Sequence, residues 1–393
     1  MVRTVRLTCA VIAAVAALGV SNLHAFESRP QRAFLYDMNT RTVLYAQGAE
    51  ERFAPASLSK FVTAAVVQEL LDGGVLELDD TFPMTEDAWR RGGAPSGRAT
   101  MFAELGSDVP ISALHAGVIV LTANDAAIAL AQGIDGTEAA FSDRMNARAS
   151  ALGALDSNFT NATGADDAAM HTTVRDLVTM AIELLETEPR SVQLYAQPAM
   201  TWNDIFQRNR NPLFREIDGT DGFVAGYTES AGYGALGTVE REGRRIVYAL
   251  SGVDTAEGRV AEAERLVEYA FSDFRTIRVA NPGETVGSAR IYGGEVRTVD
   301  LVADGGALDI LLPREGEERV RARVVYDHPF PAPVEEGQPI ARLLVERDGT
   351  IIQNTPLVAA SSVSEGNVVQ RARDGFFELL TGWIPPISFA GSL

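Results

Sequence analysis

The chain has 393 residues, 46% of them hydrophobic and 22% charged, enough to bury one large core or two ordinary ones, which excludes a disordered or collagen-like chain. Asp and Glu total 53 against 34 Lys and Arg, a net charge of −19; that is the wrong sign for gripping a phosphate backbone, so nucleic acid is not expected as a partner. Only one of the basic residues, Lys60, is a lysine, and the other 33 are arginine.

Residues 1–25 carry Arg3 and Arg6, an apolar run from Leu7 to Val20, and Leu23-His24-Ala25 before a cleavage point. This is the pattern of a secretory signal peptide, and the apolar run falls short of the ~20 residues that span a bilayer. The single cysteine, Cys9, lies inside this segment, so the exported chain is expected to carry no disulfide, no thiol nucleophile and no Cys-ligated metal. From Ala33 to Tyr45 the alternation Ala33-Phe34-Leu35-Tyr36-Asp37, a turn at Met38-Asn39-Thr40-Arg41 and the run Val43-Leu44-Tyr45 predict a β-hairpin. Leu58 to Leu71 has helical spacing at Phe61, Val62, Ala65, Val66 and Leu70 and stops at Gly73-Gly74. Two helical stretches, Ile111–Val120 and Asp125–Gln132, flank a polar break at Thr122-Ala123-Asn124, and a third runs from Phe141 to Leu152.

Between Asp221 and Val253 the period changes to two, over Phe223–Thr228, Tyr233–Val239 and Arg245–Leu250, which predicts an antiparallel meander closed by a helix from Ala256 to Phe274. From about Thr276 to Ser364 the chain is short β-type runs (Thr298–Val302, Leu308–Leu312, Val320–Tyr326, Ile340–Val345, Ile351–Asn354), a separate small all-β domain. Asn367 to Ile384 spaces Val369, Ala372, Phe376, Leu379 or Leu380, and Trp383 as an amphipathic helix. Its terminal place, its Phe and Trp content and the following Pro385-Pro386, with no further partner segment, favour an anchor on a membrane surface over a helix docked on its own domain. The expected organisation is a signal peptide over 1–25, an α/β (α+β) catalytic-type domain over 26–275, the all-β domain over 276–365 and the tail over 366–393.

Several reaction classes drop out. Beyond the leader the histidines are His115, His171 and His328, widely spaced and without His-Glu-x-x-His, so a zinc peptidase has little support. There is no Gly-x-Ser-x-Gly elbow, and a P-loop would need a second lysine. The sequons at Asn158 and Asn161 read as chance.

What remains is Ser57-Leu58-Ser59-Lys60 at the start of an apolar helix. A serine hydroxyl is a poor nucleophile until a base takes its proton, and residues three apart on a helix share a face. Burial lowers a lysine's pKa and frees the neutral amine as a base, whereas arginine does not deprotonate in proteins. The helix start also offers backbone N–H groups to a developing oxyanion. Ser-x-x-Lys alone is a weak signal, and the lysine count sharpens it: 33 of 34 basic positions are filled by arginine and this one is not. With 20 serines in the chain, a randomly placed lysine falls three residues after one of them about one time in twenty.

With these residues in view, residues 30–365 resemble the serine D-Ala-D-Ala carboxypeptidases, the low-molecular-weight penicillin-binding proteins. Pro55-Ala56-Ser57-Leu58-Ser59-Lys60 resembles their nucleophile motif and Thr122-Ala123-Asn124 their Ser-x-Asn motif. Asn158-Phe159-Thr160-Asn161, Asn209-Arg210-Asn211 and Gly226-Tyr227-Thr228-Glu229-Ser230 are similar to further landmarks of the family. The resemblance implies a serine β-lactamase/transpeptidase-like domain, an antiparallel sheet with a helical cluster, that needs no cofactor. It implies acylation of Ser57 by the penultimate D-alanine of a peptidoglycan stem peptide, with Lys60 as base, Asn124 holding the substrate amide and Thr122 relaying a proton to the leaving amine. The N–H groups of Ser57 and Tyr227 would form the oxyanion hole, and β-lactams would be covalent inhibitors. The expected location is periplasmic, attached to the outer face of the inner membrane through the tail.

Two departures stand out. Thr122 replaces the usual serine and keeps the hydroxyl. The third motif, normally Lys-Thr-Gly ahead of Tyr227 and Thr228, reads Val224-Ala225-Gly226, so the cation and hydroxyl that meet the substrate's terminal carboxylate are gone, a loss of roughly 2–5 kcal/mol. Three readings stay open: Arg244, Arg245 or Arg259 supplies the cation; the substrate lacks that carboxylate, as for an amidase or esterase; or turnover is lost and the protein binds peptidoglycan as a structural or regulatory factor.

Overall fold

The computed structural model describes residues 30–314, 320–326, 330–347, 349–372 and 391–392. The leader read at 1–25 and residues 373–384 of the tail helix read at 367–384 lie outside these described residues; the helix begins as expected, at 368–372. In chain order, β1 (Arg32–Asp37) and β2 (Thr42–Gln47) form the expected hairpin, and a 3₁₀ turn (Ala56–Ser59) runs into α1 (Lys60–Asp72). Then come β3 (Thr81–Pro83), α2 (Glu86–Gly92), a second 3₁₀ turn (Ala94–Ser96), β4 (Asp108–Pro110), α3 (Ile111–Leu121), α4 (Asn124–Asp135) and α5 (Glu138–Ala151). α6 (Val174–Thr187), α7 (Pro189–Tyr195), the small hairpin of β5 (Ala199–Trp202) and β6 (Ile205–Arg208), and α8 (Leu213–Glu216) lead to the meander β7 (Thr220–Thr228), β8 (Gly232–Arg241) and β9 (Arg244–Val253), followed by α9 (Ala256–Ser272). The β-rich remainder is β10 (Phe274–Ala280), β11 (Gly287–Tyr292), β12 (Thr298–Ala303), β13 (Leu308–Pro313), β14 (Val320–Val325), β15 (Phe330–Pro331), β16 (Pro339–Arg347), β17 (Thr350–Ala359) and β18 (Gly391–Ser392).

Helix boundaries follow local chemistry. Thr85, Thr137, Thr173 and Thr255 each sit in an extended conformation before a helix and accept a backbone N–H three residues on, which satisfies one of the four orphan donors there. Thr137 moves the start of α5 to Glu138, three residues ahead of the expected Phe141. Asn124 is the first residue of α4 rather than part of the break before it.

The main sheet runs β2-β1-β9-β8-β7, antiparallel throughout, with β7 at its edge. The period-two reading of the meander holds as a pleat, but both faces are covered. On β9, Val247 and Ala249 join the core shared with α1, α3, α4 and α6, whereas Ile246, Tyr248 and Leu250 join a second core under α9. A strand covered on both sides reads as a continuous apolar run, as Ile246-Val247-Tyr248-Ala249-Leu250 does. A third core, from Ala280 to Val363, belongs to the C-terminal β region. That region meets the hairpin through Gln353, whose side-chain amide donates to the carbonyls of Thr40 at 2.6 Å and Asp309 at 3.1 Å.

One expectation is corrected. The chain beyond Pro386 does find a partner, since Gly391 and Ser392 pair with Ala322 and Arg321 of β14, adding a strand to the β region. Among the described residues no helix is long and apolar enough to cross a membrane.

Candidate active site

Ser57 lies on the 3₁₀ turn, one step ahead of α1, and not on the α-helix proper. The i, i+3 relation survives because the turn continues into the helix. Lys60 Nζ lies 3.2 Å from Ser57 Oγ and donates to the Thr163 carbonyl at 2.6 Å. Lys60 is only 2% exposed. Burial, and secondarily the charge of Arg98, push its amine down to about 7. A lysine held there is half neutral near neutral pH, which is what a base for a serine hydroxyl needs.

The turn is held by close backbone approaches. Ala56 has φ +53°, a left-handed conformation unusual for a residue with a β-carbon. Gly164, at φ +75°, lies against it: a β-carbon there would sit 1.8 Å from the Ala56 carbonyl oxygen, so only glycine fits. Gly226 of β7 approaches from the other side, where an added β-carbon would sit 3.2 Å from the Ser57 amide nitrogen. The strand that carries Gly226 and Tyr227 is therefore in register with the nucleophile's backbone N–H.

Thr122 caps α3 with φ 48°, ψ 35°, a second left-handed non-glycine residue at the site and a strained one for a β-branched side chain. The adjacent backbone is fixed by the Ala123 N–H on the Gly117 carbonyl and the Asn124 N–H on the Ala99 carbonyl. Asp125, fully buried, ties the same corner down by accepting from Thr100 Oγ1 at 2.5 Å and from the N–H groups of Met101 and Ala126 at 3.0 Å; burial raises its pKa. Thr122 and Asn124 are both buried, and Asn124 lines a cavity of about 210 Å³ with Arg91, Arg98, Ile128, Thr163 and Ala165.

Sequence reasoning marked Asn158-Phe159-Thr160-Asn161 as a landmark of the resemblance but gave the loop that holds the lysine's partner no role. Asn161, one of the two sequon asparagines, accepts through Oδ1 from the N–H groups of Thr163, Gly164 and Ala165 and from the Thr163 hydroxyl, and donates to the Ala165 carbonyl. A single asparagine thus shapes the loop that presents the Thr163 carbonyl to Lys60. The Asn-x-Thr-Gly spacing is its signal: an asparagine followed three residues on by a glycine in the left-handed region.

In the third motif, Val224 is 3% exposed and pairs across the sheet with Leu236 in the helix-side core, whereas Ala225 pairs with Ala235 of the core under α9. Tyr227 is exposed and stacks on Tyr233 at 4.4 Å, and Thr228 accepts the Ala231 N–H at the strand's end. Of the three arginines considered in place of the missing lysine, two are already engaged. Arg244 pairs with the buried Asp37 at 2.5 Å, and Arg245 pairs with Asp221 at 2.7 Å and with Glu240. Arg259 is 9% exposed, lies over the Tyr233 ring and reaches the Gly226 carbonyl with Nη1 at 3.3 Å; its Nε has no hydrogen-bond partner among the described residues. Among the described residues no three His, Cys, Asp or Glu side chains are placed to hold a metal ion.

A sequence model of the family described as D-alanyl-D-alanine carboxypeptidase matches residues 20–255, and one described as the C-terminal domain of penicillin-binding protein 5 matches 274–365. The chain belongs to the D-alanyl-D-alanine carboxypeptidase family. It is 30% identical over 349 residues to D-alanyl-D-alanine carboxypeptidase DacA of Haemophilus influenzae (88% of each chain). It is 31% identical over 346 residues to DacD of Escherichia coli (87% of this chain, 89% of the relative). Among solved structures, penicillin-binding protein 5 from H. influenzae aligns with a TM-score of 0.72 at 30% identity, covering 87% of this chain and 99% of the other. Penicillin-binding protein D2 from Listeria monocytogenes in its ampicillin-bound form aligns over 63% of this chain and 99% of the other, with a TM-score of 0.55 at 28% identity. The fold is the mixed α/β one of these carboxypeptidases, followed by their C-terminal β domain.

Proposed function

We propose that this member of the family is a working serine D-alanyl-D-alanine carboxypeptidase that trims peptidoglycan stem peptides. The observation that carries this is the buried Lys60 amine, 3.2 Å from Ser57 Oγ, whose burial lowers its pKa to about 7 so that half of it is neutral at that pH. Lys60 takes the hydroxyl proton and Ser57 attacks the penultimate D-alanine carbonyl. The N–H groups of Ser57 and Tyr227 receive the oxyanion, Thr122 passes a proton to the departing D-alanine, and water releases the shortened peptide. Asn124 holds the substrate's amide on the acyl side. None of these roles requires a cofactor.

The altered third motif then needs a cation from elsewhere, and Arg259 is our choice. A buried guanidinium without a carboxylate is costly unless an anion completes it, and this one sits under the strand whose Lys-Thr pair is missing. The competing reading, a binder that no longer turns over, is favoured by the same loss at Val224 and Ala225. Release of D-alanine from a stem pentapeptide decides between them. Release that disappears in Ser57→Ala supports the enzyme; no release with retained murein binding supports the binder; cleavage only of amides without a terminal carboxylate supports an amidase or esterase. Acylation itself is read by intact mass after incubation with ampicillin, which adds the drug's mass at Ser57.

The leader pattern at 1–25 supports export to the periplasm, and the Phe- and Trp-rich stripe at 367–384 supports attachment to the outer face of the inner membrane. Fractionation of cells expressing the full chain, against one ending at residue 366, tests both.

A further inference from the structure

The 210 Å³ cavity lined by Asn124 and by Thr163, whose carbonyl receives the Lys60 amine, is also lined by two arginines in different states. Arg91 is held by Asp87 at 2.9 Å and Glu138 at 2.5 Å. Arg98 is exposed and has no ion pair and no side-chain hydrogen bond among the described residues, where its neighbour in the cavity wall, Arg91, has two carboxylate partners. Its backbone is nonetheless firmly placed. Gly97 turns the chain at φ +66°, the Arg98 N–H donates to Ser96 Oγ at 3.1 Å, and the next two residues are strapped to α4 through the Ala99 carbonyl on the Asn124 N–H and the Thr100 hydroxyl on Asp125. The cation is therefore delivered to the same corner as Asn124, with which it lines the cavity. Its charge is felt at Lys60.

We infer that Arg98 is a specificity-determining residue that receives a carboxylate on the acyl side of the substrate, carried by the side chain of the residue before the D-Ala-D-Ala pair. This rests on the carboxypeptidase reading, in which Asn124 holds the acyl-side amide. A peptide gripped there carries its upstream residue past the 210 Å³ cavity, which has room for a short side chain ending in a carboxylate. An unpaired guanidinium costs little while solvated and gains a charge-assisted, two-pronged hydrogen bond when that carboxylate arrives. Stem peptides whose third residue is a diamino dicarboxylic acid offer this group. Those with its amide or with lysine do not.

The test is binding to the full-length Ser57→Ala protein by calorimetry, with two pentapeptides that differ only in a free or amidated carboxylate on the third residue. The free acid is expected to bind about tenfold tighter, a difference that disappears in Ser57→Ala/Arg98→Gln, is partly kept in Ser57→Ala/Arg98→Lys and shrinks with salt. Equal affinities for the two peptides, or a preference unchanged by Arg98→Gln, would overturn the inference. Because Ser57→Ala cannot turn over, this readout is independent of activity, and failure of the parent reading shows separately as no D-alanine release by the unmodified protein. In active enzyme the ratio of kcat/KM for the two peptides reports the same preference, and any effect of Arg98 on the shared base cancels from it.

Discussion

Lys60 and Thr163 stand 103 residues apart and meet at 2.6 Å, amine to backbone carbonyl. That contact fixes one N–H of the amine. In the neutral form the nitrogen keeps a lone pair for the Ser57 proton 3.2 Å away. Acylation by a β-lactam or peptide should therefore rise with pH, reach half its maximum at about pH 7, and level off above, as Lys60 loses its proton. Stopped-flow acylation across pH 5.5–9 checks this, and a flat profile would exclude Lys60 as the base. Stability carries the matching sign. Folding lowers this pKa, so the cost of burying the ammonium is present in full below about pH 7 and is relieved as pH rises towards the unfolded lysine value of about 10.4.

Arginine at position 60 would keep the charge and lose the chemistry. Lys60→Arg should lower the acylation rate by roughly 10²–10⁴, the usual contribution of a general base, and Ser57→Ala should abolish the covalent adduct in intact-mass spectra. Circular dichroism of both variants should match the parent. Near-parental acylation by the Lys60→Arg protein would refute the assignment.

The loop that presents Thr163 can be tested without touching either partner. Gly164→Ala places a methyl 1.8 Å from the Ala56 carbonyl and demands a left-handed alanine, so it should destabilise the fold by more than ~2 kcal/mol and slow acylation sharply. Asn161→Ala removes the acceptor of three backbone N–H groups and should slow acylation at least tenfold with a smaller loss of thermal stability. Equal losses of stability and rate in both variants would argue that the loop is structural only.

The nucleophile and its base are legible in the sequence because their chemistry is written in a three-residue spacing and because lysine occurs once. The hairpin, the meander and the apolar helices are legible from their periods. The Asn161 stretch shows as a landmark of the resemblance and in its Asn-x-Thr-Gly spacing, but its role does not, because that role is a backbone carbonyl, which any residue supplies. Gly226 and Gly164 carry no chemistry of their own; what matters is the space they leave for Ser57 and Ala56, set by parts of the chain more than 100 residues away. The fates of Arg244 and Arg245 are equally hidden, since Asp37 reaches Arg244 from a different strand.

His115 on α3 bonds the Ala64 carbonyl of α1 at 3.1 Å and is fully buried, which pushes its pKa down to about 4. Unfolded histidine titrates near 6.5, so the unfolded chain binds the extra proton first. Stability should fall as pH drops from about 6.5 to about 4, by roughly 3 kcal/mol from this group. Denaturant titrations at pH 7, 5.5 and 4.5 on the parent and on His115→Gln check it. The variant should be less stable at pH 7 and lose less on acidification.

Val224→Lys with Ala225→Thr restores the cation and hydroxyl two residues and one residue before Gly226, on the strand that abuts the Ser57 turn. If terminal-carboxylate recognition limits the present enzyme, the double variant should raise kcat/KM by about ten- to a hundredfold for peptides ending in a free D-alanine, and leave those ending in D-alanine amide unchanged. The same measurement probes Arg259. In the parent, Arg259→Gln should lower kcat/KM for the free acid at least tenfold and spare the amide, because the guanidinium is the remaining unpaired cation beside Gly226 among the described residues. In the Val224→Lys/Ala225→Thr background the same change should cost much less, since the carboxylate then has a second partner. Losses of equal size in both backgrounds and on both substrates would mean that Arg259 supports the strand through the Gly226 carbonyl and does not meet the substrate.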